Sequence, residues 1–161
     1  MSDLGRMFGP AYKEARKKLL REPELRLQFE RRLNEIYGDK PRPEITGIMT
    51  FNLTNPTEST GIERTEVDRL MAWLNAIART KQVIGESYQG ELKLYVVERR
   101  QTLVGEVGVW DIISAETNYS VRRCQYIFED AVVLLTAIAV EWGLARGPGS
   151  ETQRSLSQKP C

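Results

Sequence analysis

The sequence predicts an all-α fold, and three observations lead to this prediction. Apolar residues recur at steps of three and four along several segments, as they do on one face of an α-helix. Proline and glycine punctuate the chain between these segments. The 161 residues are 41% hydrophobic and 28% charged, which is the composition of a soluble globular chain long enough to bury one core.

An N-terminal helical region is predicted over residues 1–37. Pro10 is suited to a first helical position, and the basic segment 11–21 follows it. Pro23 opens a second helix, whose apolar stripe consists of Leu25, Phe29, Leu33 and Ile36. Residues 38–60 hold clustered Pro, Gly, Asn, Thr and Ser, which predicts a linker or an extended arm.

A long helix is predicted over residues 61–85. Thr60 and Glu63 have the spacing of a capping box at its start. Its apolar face, at steps of three and four, consists of Val67, Leu70, Met71, Leu74 and Ile77. The pattern of residues 91–103 favours a helix, although a β-branched run leaves a strand as the alternative.

A short helix over residues 109–116, a tight turn and a long helix beginning at Val121 are predicted next. Asn118 is suited to the turn because asparagine tolerates a left-handed backbone. Ser120 is suited to accept the first free amide hydrogens of the long helix. Residues 131–140 are apolar on nearly all sides, so either the rest of this chain or another copy must cover them.

The composition excludes several kinds of chemistry. The chain has no histidine, which rules out zinc-histidine sites and the usual catalytic triads. Cys124 and Cys161 make neither a disulfide framework nor a metal cluster, and no phosphate loop or nucleophile elbow is present. We therefore expect no enzyme and no cofactor. We find no signal peptide or membrane span and expect a reduced, cytoplasmic location, with a disordered tail over residues 147–161.

The short helix, turn and long helix form a helix-turn-helix pattern within a terminal unit, residues 86–146. Ile113 and Ser114 supply an aliphatic core residue and a small residue where the helices touch, and Cys124 supplies an inward residue on the second helix. The capping hydroxyl and the outward side chains of the first turns are suited to base edges or phosphates. They are Ser120, Val121, Arg122, Arg123, Gln125 and Tyr126.

These residues carry a resemblance to the RinA/ArpU group, phage-encoded activators of late-gene transcription in Gram-positive hosts. The segments that resemble its C-terminal region are Trp110-Asp111-Ile112-Ile113-Ser114, Asn118-Tyr119-Ser120, Arg122-Arg123 and Ala139-Val140-Glu141-Trp142-Gly143-Leu144. Over residues 20–144 the order of segments is also similar. The resemblance implies a regulator that binds double-stranded promoter DNA and acts with RNA polymerase in the host cell. It also implies a terminal unit similar to region 4 of sigma factors.

The charge of the terminal unit departs from that group, whose recognition helix is rich in Arg and Lys past its first turn. Residues 86–146 hold six cationic and nine acidic side chains, a net charge of −3, whereas residues 1–85 have a net charge of +3. DNA affinity depends largely on cations that replace counterions. The possible phosphate contacts are therefore Arg99, Arg100, Lys13, Arg16, Lys17 and Lys18. For Arg99 and Arg100, surface ion pairs are the competing interpretation.

Two other functions are left open. A phage structural or packaging adaptor, similar to a small terminase subunit, is favoured by the acidic terminal unit and by the apolar last helix. An RNA polymerase-binding protein without DNA contact would keep the sigma-like shape. A homo-oligomer formed through the apolar helices is expected, and the number of copies discriminates between a promoter binder and a packaging ring.

Overall fold

The computed structural model describes residues 3–48 and 61–145, with side chains described over residues 9–48 and 66–145. These residues contain no strand, and their helices are α1 (Asp3–Leu20), α2 (Glu22–Tyr37), α3 (Gly61–Glu86), α4 (Gly90–Thr102), α5 (Val109–Thr117) and α6 (Val121–Glu141). The predicted all-α fold class is confirmed. The predicted capping box of Thr60 and Glu63 and the predicted tail lie outside the residues whose side chains are described.

The first two helices follow the predicted pattern. Within α1 the regular backbone is interrupted at Gly9, where φ is 55°, and Pro10 follows the interruption. The inner face of α1 buries Ala11, Tyr12, Ala15 and Leu19. In α2 the predicted stripe is confirmed, with Leu25, Phe29 and Leu33 buried and Ile36 half-buried, and the helix ends before Gly38.

Helix α3 anchors the first part of the predicted arm. On its predicted apolar face, Met71 is half-buried and the other four residues are buried. Asn75 is fully buried, and its Oδ1 accepts hydrogen bonds from the backbone amides of Thr46 at 2.8 Å and Gly47 at 3.0 Å. Buried polar groups need such partners. The arm is therefore tied to α3 at this point.

The alternative between helix and strand after α3 is resolved in favour of helix α4, in which Val96 and Val97 are fully buried. The turn between α3 and α4 is closed by glycine. A Cβ added at Gly90 would lie 2.2 Å from the carbonyl oxygen of Gly85 and 2.5 Å from that of Ile84. Only a residue without a side chain permits this approach.

Helix α6 is central to the core, since α1, α3, α4 and α5 all pack against it. In the apolar stretch 131–140 only Ala137 is exposed, so the same chain covers this stretch. After the helix ends, Gly143 adopts a φ of 76°. None of the described helices is long and apolar enough to cross a membrane.

Substitution of the turn glycine tests this packing. We expect Gly90→Ala to lower the free energy of unfolding by about 2 kcal/mol or more, because the added methyl meets backbone oxygens that cannot move aside. Gly85→Ala is the matched control. Its Cβ would meet only a Leu94 methyl at 3.9 Å, so we expect this variant to raise the free energy of unfolding by about 0.5 kcal/mol. Urea unfolding followed by circular dichroism measures both, and equal midpoints would contradict the close approach.

Candidate nucleic-acid interface

The turn between α5 and α6 has the backbone geometry predicted from the sequence. Asn118 adopts the left-handed conformation with φ of 63°, and its amide donates to the carbonyl of Ser114 at 2.9 Å. Ser120 is extended, and its Oγ accepts the backbone amide of Arg123 at 3.1 Å. The predicted turn residue and the predicted helix cap are both confirmed. Together they fix where α6 begins and in which direction it points.

Polar contacts of α5 order the turn that leads into α6. Ser114 Oγ donates to the carbonyl of Tyr119 at 2.5 Å, and Thr117 Oγ donates to the carbonyl of Ile113 at 2.8 Å. The same Thr117 hydroxyl lies 3.7 Å from Sγ of Cys124, which is fully buried. The predicted inward position of Cys124 is confirmed. With Cys124 buried against α5, the opposite side of α6 faces solvent.

An exposed polar strip occupies the first two turns of α6. Arg122, Gln125 and Tyr126 are exposed, and on the helix Arg122 and Tyr126 lie opposite Cys124 with Gln125 on the flank beside them. The guanidinium of Arg122 lies 5.5 Å from the centroid of the Tyr126 ring, and its Nε donates to the Tyr126 hydroxyl at 3.1 Å. Val121 is half-buried. The structure therefore brings most of the predicted recognition residues onto one surface, with Ser120 at its end.

Arg123 lies at the edge of this strip and contacts another part of the chain. Its guanidinium is 4.4 Å from the centroid of the Tyr119 ring, and its Nη2 donates to Oε1 of Gln89 at 3.2 Å. The Tyr119 hydroxyl donates to the same oxygen at 2.7 Å. Gln89 and its neighbour Tyr88, which is 81% exposed, were not predicted as site residues. No local pattern identifies them, because the contact joins residues 34 positions apart.

Two clefts lie along α6 beyond the strip, and each is lined by an acidic residue of that helix. Glu129 lines a cleft of about 650 Å³ between α6 and α1, together with the predicted phosphate contacts Lys13, Arg16 and Lys17. Asp130 lines a cleft of about 180 Å³ on the side of α3 and α4. Three of the predicted cationic contacts therefore line a cleft with Glu129, which lies about one turn beyond Tyr126 on α6. Lys18 does not, because its ammonium is 5.6 Å from the ring of Trp73.

The other two predicted phosphate contacts are engaged elsewhere. Arg99 Nε binds Glu116 at 3.0 Å, and the Tyr95 hydroxyl donates to the same carboxylate. These hydrogen bonds, from Tyr95 first and then from Arg99, lower the pKa of Glu116. The ion pair that competed with phosphate contact is therefore present at Arg99.

Arg100 is half-buried, and its guanidinium lies 5.5 Å from the ring of Trp110 and 5.9 Å from that of Phe128. Its Nε is buried and has no hydrogen-bond partner among the described residues. Burial and, to a smaller extent, the charge of Arg16 lower the pKa of Arg100. Arg100 therefore lies within the packing beneath the strip.

Within residues 9–48 and 66–145, no three His, Cys, Asp or Glu side chains group closely enough to hold a metal ion. No family model, curated protein or solved structure matches the chain.

Removal of the helix cap tests the local geometry of the turn. We expect Ser120→Ala to lower the free energy of unfolding by about 1 kcal/mol, because the amide of Arg123 loses its acceptor. Ser120→Asp is the matched control, since aspartate caps equally well and its charge favours a helix N-terminus. Chemical denaturation measures the difference. If alanine and aspartate gave equal stability, the cap would have no energetic role.

Proposed function

We propose that this protein is a sequence-specific DNA-binding transcription regulator, an activator of phage late genes that acts with host RNA polymerase. The observation that carries the DNA-binding part is the exposed strip on the first two turns of α6, which follows a short helix and a tight turn. A helix of this kind fits the major groove, where side-chain donors meet base edges. The activator role and the polymerase partner rest on the resemblance to the RinA/ArpU group.

The chemistry of the strip suits duplex DNA. An arginine can donate to guanine through two parallel hydrogen bonds, and a glutamine can pair with adenine in the same way. Arg122 and Gln125 provide these groups about one turn apart on the outward side of α6. Within the described residues neither Arg122 nor Arg123 forms an ion pair, so both charges remain for the nucleic acid.

Phosphate contacts from α1 would complement the strip. Lys13, Arg16 and Lys17 line the cleft that borders α6, and none of them forms an ion pair within the described residues. Their positive charge offsets the acidic balance of residues 86–146. In this arrangement Glu129 and Asp130 restrict close contact with phosphates to the first two turns of α6.

Binding to RNA polymerase without DNA contact is the second candidate function. The observation that favours it is the pair Glu129 and Asp130, which follow the strip along α6 and disfavour a polyanion. The apolar stretch 131–140 favoured the alternative function as a packaging adaptor. It favours that function less strongly now, because the same chain covers the stretch.

The double variant Arg122→Ala/Arg123→Ala tests DNA binding. We expect it to abolish the mobility shift of DNA flanking the protein's own gene at two salt concentrations, because two cationic donors are lost. Both side chains are exposed, so the free energy of unfolding should change by less than about 1 kcal/mol. Arg69→Ala/Arg79→Ala, which removes two exposed arginines of α3, is the charge-matched control and should bind normally. Unchanged binding by the first variant would overturn the assignment of the strip.

Neutralising the acidic pair tests the orientation of α6 on DNA. We expect Glu129→Gln/Asp130→Asn to tighten DNA binding by about tenfold at low salt, because two like charges no longer face the phosphates. The gain should shrink as added salt screens these charges. Glu141→Gln, an exposed position at the far end of α6, is the control and should leave affinity unchanged. Anisotropy titrations measure all three proteins, and equal affinities would mean that DNA does not approach this side of α6.

A further inference from the structure

We infer that the α3–α4 turn, residues 87–89, is a second DNA-contacting element that assigns different roles to the two arginines of the strip. In this inference, which rests on the proposed function, Arg123 binds the phosphate backbone at the edge of the groove and Arg122 reads a base edge. Gln89 is the positioning residue for Arg123, and Tyr88 adds a contact to the same DNA strand.

The position of Gln89 is set by the backbone. Its φ is 54°, and the next residue is Gly90, which lies against the carbonyls of Ile84 and Gly85. Its side-chain Oε1 then accepts both Tyr119 Oη and Arg123 Nη2. A strained backbone and two converging donors fix this amide between α3 and α6. The turn therefore determines where the guanidinium of Arg123 lies.

Arg123 is held in a way that suits a phosphate. Its guanidinium stacks on Tyr119 and donates one hydrogen bond to the neutral amide of Gln89. Within the described residues no carboxylate pairs with it. A guanidinium fixed in this way loses less conformational freedom when it binds an anion. Because it is tied to the α3–α4 turn, it lies at the border of the strip, where the backbone of groove-bound DNA would pass.

Arg122 is held differently. Its described contacts are to Tyr126, which belongs to the same helix and lies one turn further along it. Since residues one position apart are rotated by about 100° on a helix, Arg122 faces away from the α3–α4 turn. The pair of Arg122 and Tyr126 therefore projects from the middle of the exposed strip, towards the floor of a groove.

Tyr88 is an exposed residue of the same α3–α4 turn. It adjoins Gln89, and 81% of its surface is exposed, so its hydroxyl is available to a ligand. Tyrosine hydroxyls are common donors to phosphate oxygens. Gln89, Tyr119 and Arg123 are in mutual contact, and in this inference Tyr88, the neighbour of Gln89, adds a hydroxyl for the same sugar-phosphate strand.

The experiment compares the full chain with single variants by fluorescence anisotropy. The probes are a duplex from the DNA flanking the gene and a shuffled duplex of equal length, each over a salt series. We expect Arg123→Ala to weaken binding to both duplexes about tenfold and to reduce the slope of log affinity against log salt by about 0.9. We expect Arg122→Ala to weaken binding mainly to the flanking duplex, which reduces the specificity ratio.

The positioning role of Gln89 is tested by Gln89→Gly. Glycine relieves the positive φ, so a loss of affinity is not a loss of folding. We expect about threefold weaker binding in the normal background and no further effect in the Arg123→Ala background, since the glutamine acts through the arginine. Tyr88→Phe should weaken binding to both duplexes equally, and Gln28→Ala on α2 is the amide-matched control that should bind normally.

Each unfavourable result has a distinct meaning. If the unaltered protein shows no salt-dependent binding to either duplex, the proposed function fails and this inference fails with it. If the unaltered protein binds DNA, and Arg123→Ala and Gln89→Gly bind it with the same affinity as the unaltered protein, the inference alone is overturned. It is also overturned if Arg123→Ala reduces specificity and leaves the salt slope unchanged. It is overturned likewise if Gln89→Gly weakens binding further in the Arg123→Ala background, because the role of Gln89 would then be purely structural.

Discussion

The burial of α6 is the interaction on which the rest of the structure depends. Phe128, Val132 and Leu135 lie at or near zero exposure on this helix, and each buried side chain of this kind contributes about 2 kcal/mol to stability. Four other helices use α6 as their common packing surface. Because burial is concentrated after Cys124, the first two turns are anchored at one side only. The result is a rigid helix whose N-terminal turns are polar and exposed to solvent. A helix that binds in a DNA groove requires this combination.

A second constraint is the close approach at Gly90, which brings the end of α3 near the beginning of α6. Through this approach Gln89 reaches Tyr119 and Arg123, although the residues are distant in sequence. The proposed interface is thus assembled from separate parts of the chain. In this proposal α6 supplies the centre, α1 supplies cations on one side, and the α3–α4 turn supplies the other side. Such an arrangement compensates for the acidic charge of the terminal unit.

The sequence predicted the local features of the site because local chemistry determines them. Asparagine in a left-handed turn, serine at a helix start and an inward cysteine each depend on neighbouring residues. The apolar period likewise identified the buried face of α3. It did not identify what covers an apolar face, so it could not decide whether this chain or another copy covers residues 131–140. For the same reason it missed Gln89 and did not place Arg100 beneath the aromatic rings. Those placements depend on how helices pack, which periodicity does not encode.

The proximity of Arg16 to Arg100 links ligand binding to folding. Arg100 is half-buried beside the rings of Trp110 and Phe128, and the charge of Arg16 adds to the effect of burial in lowering its pKa. The two cations therefore interact unfavourably while both are charged in the folded chain. An anion bound in the cleft that Arg16 lines would offset this interaction. Such binding would favour the folded chain over the unfolded one, in which the cleft does not exist.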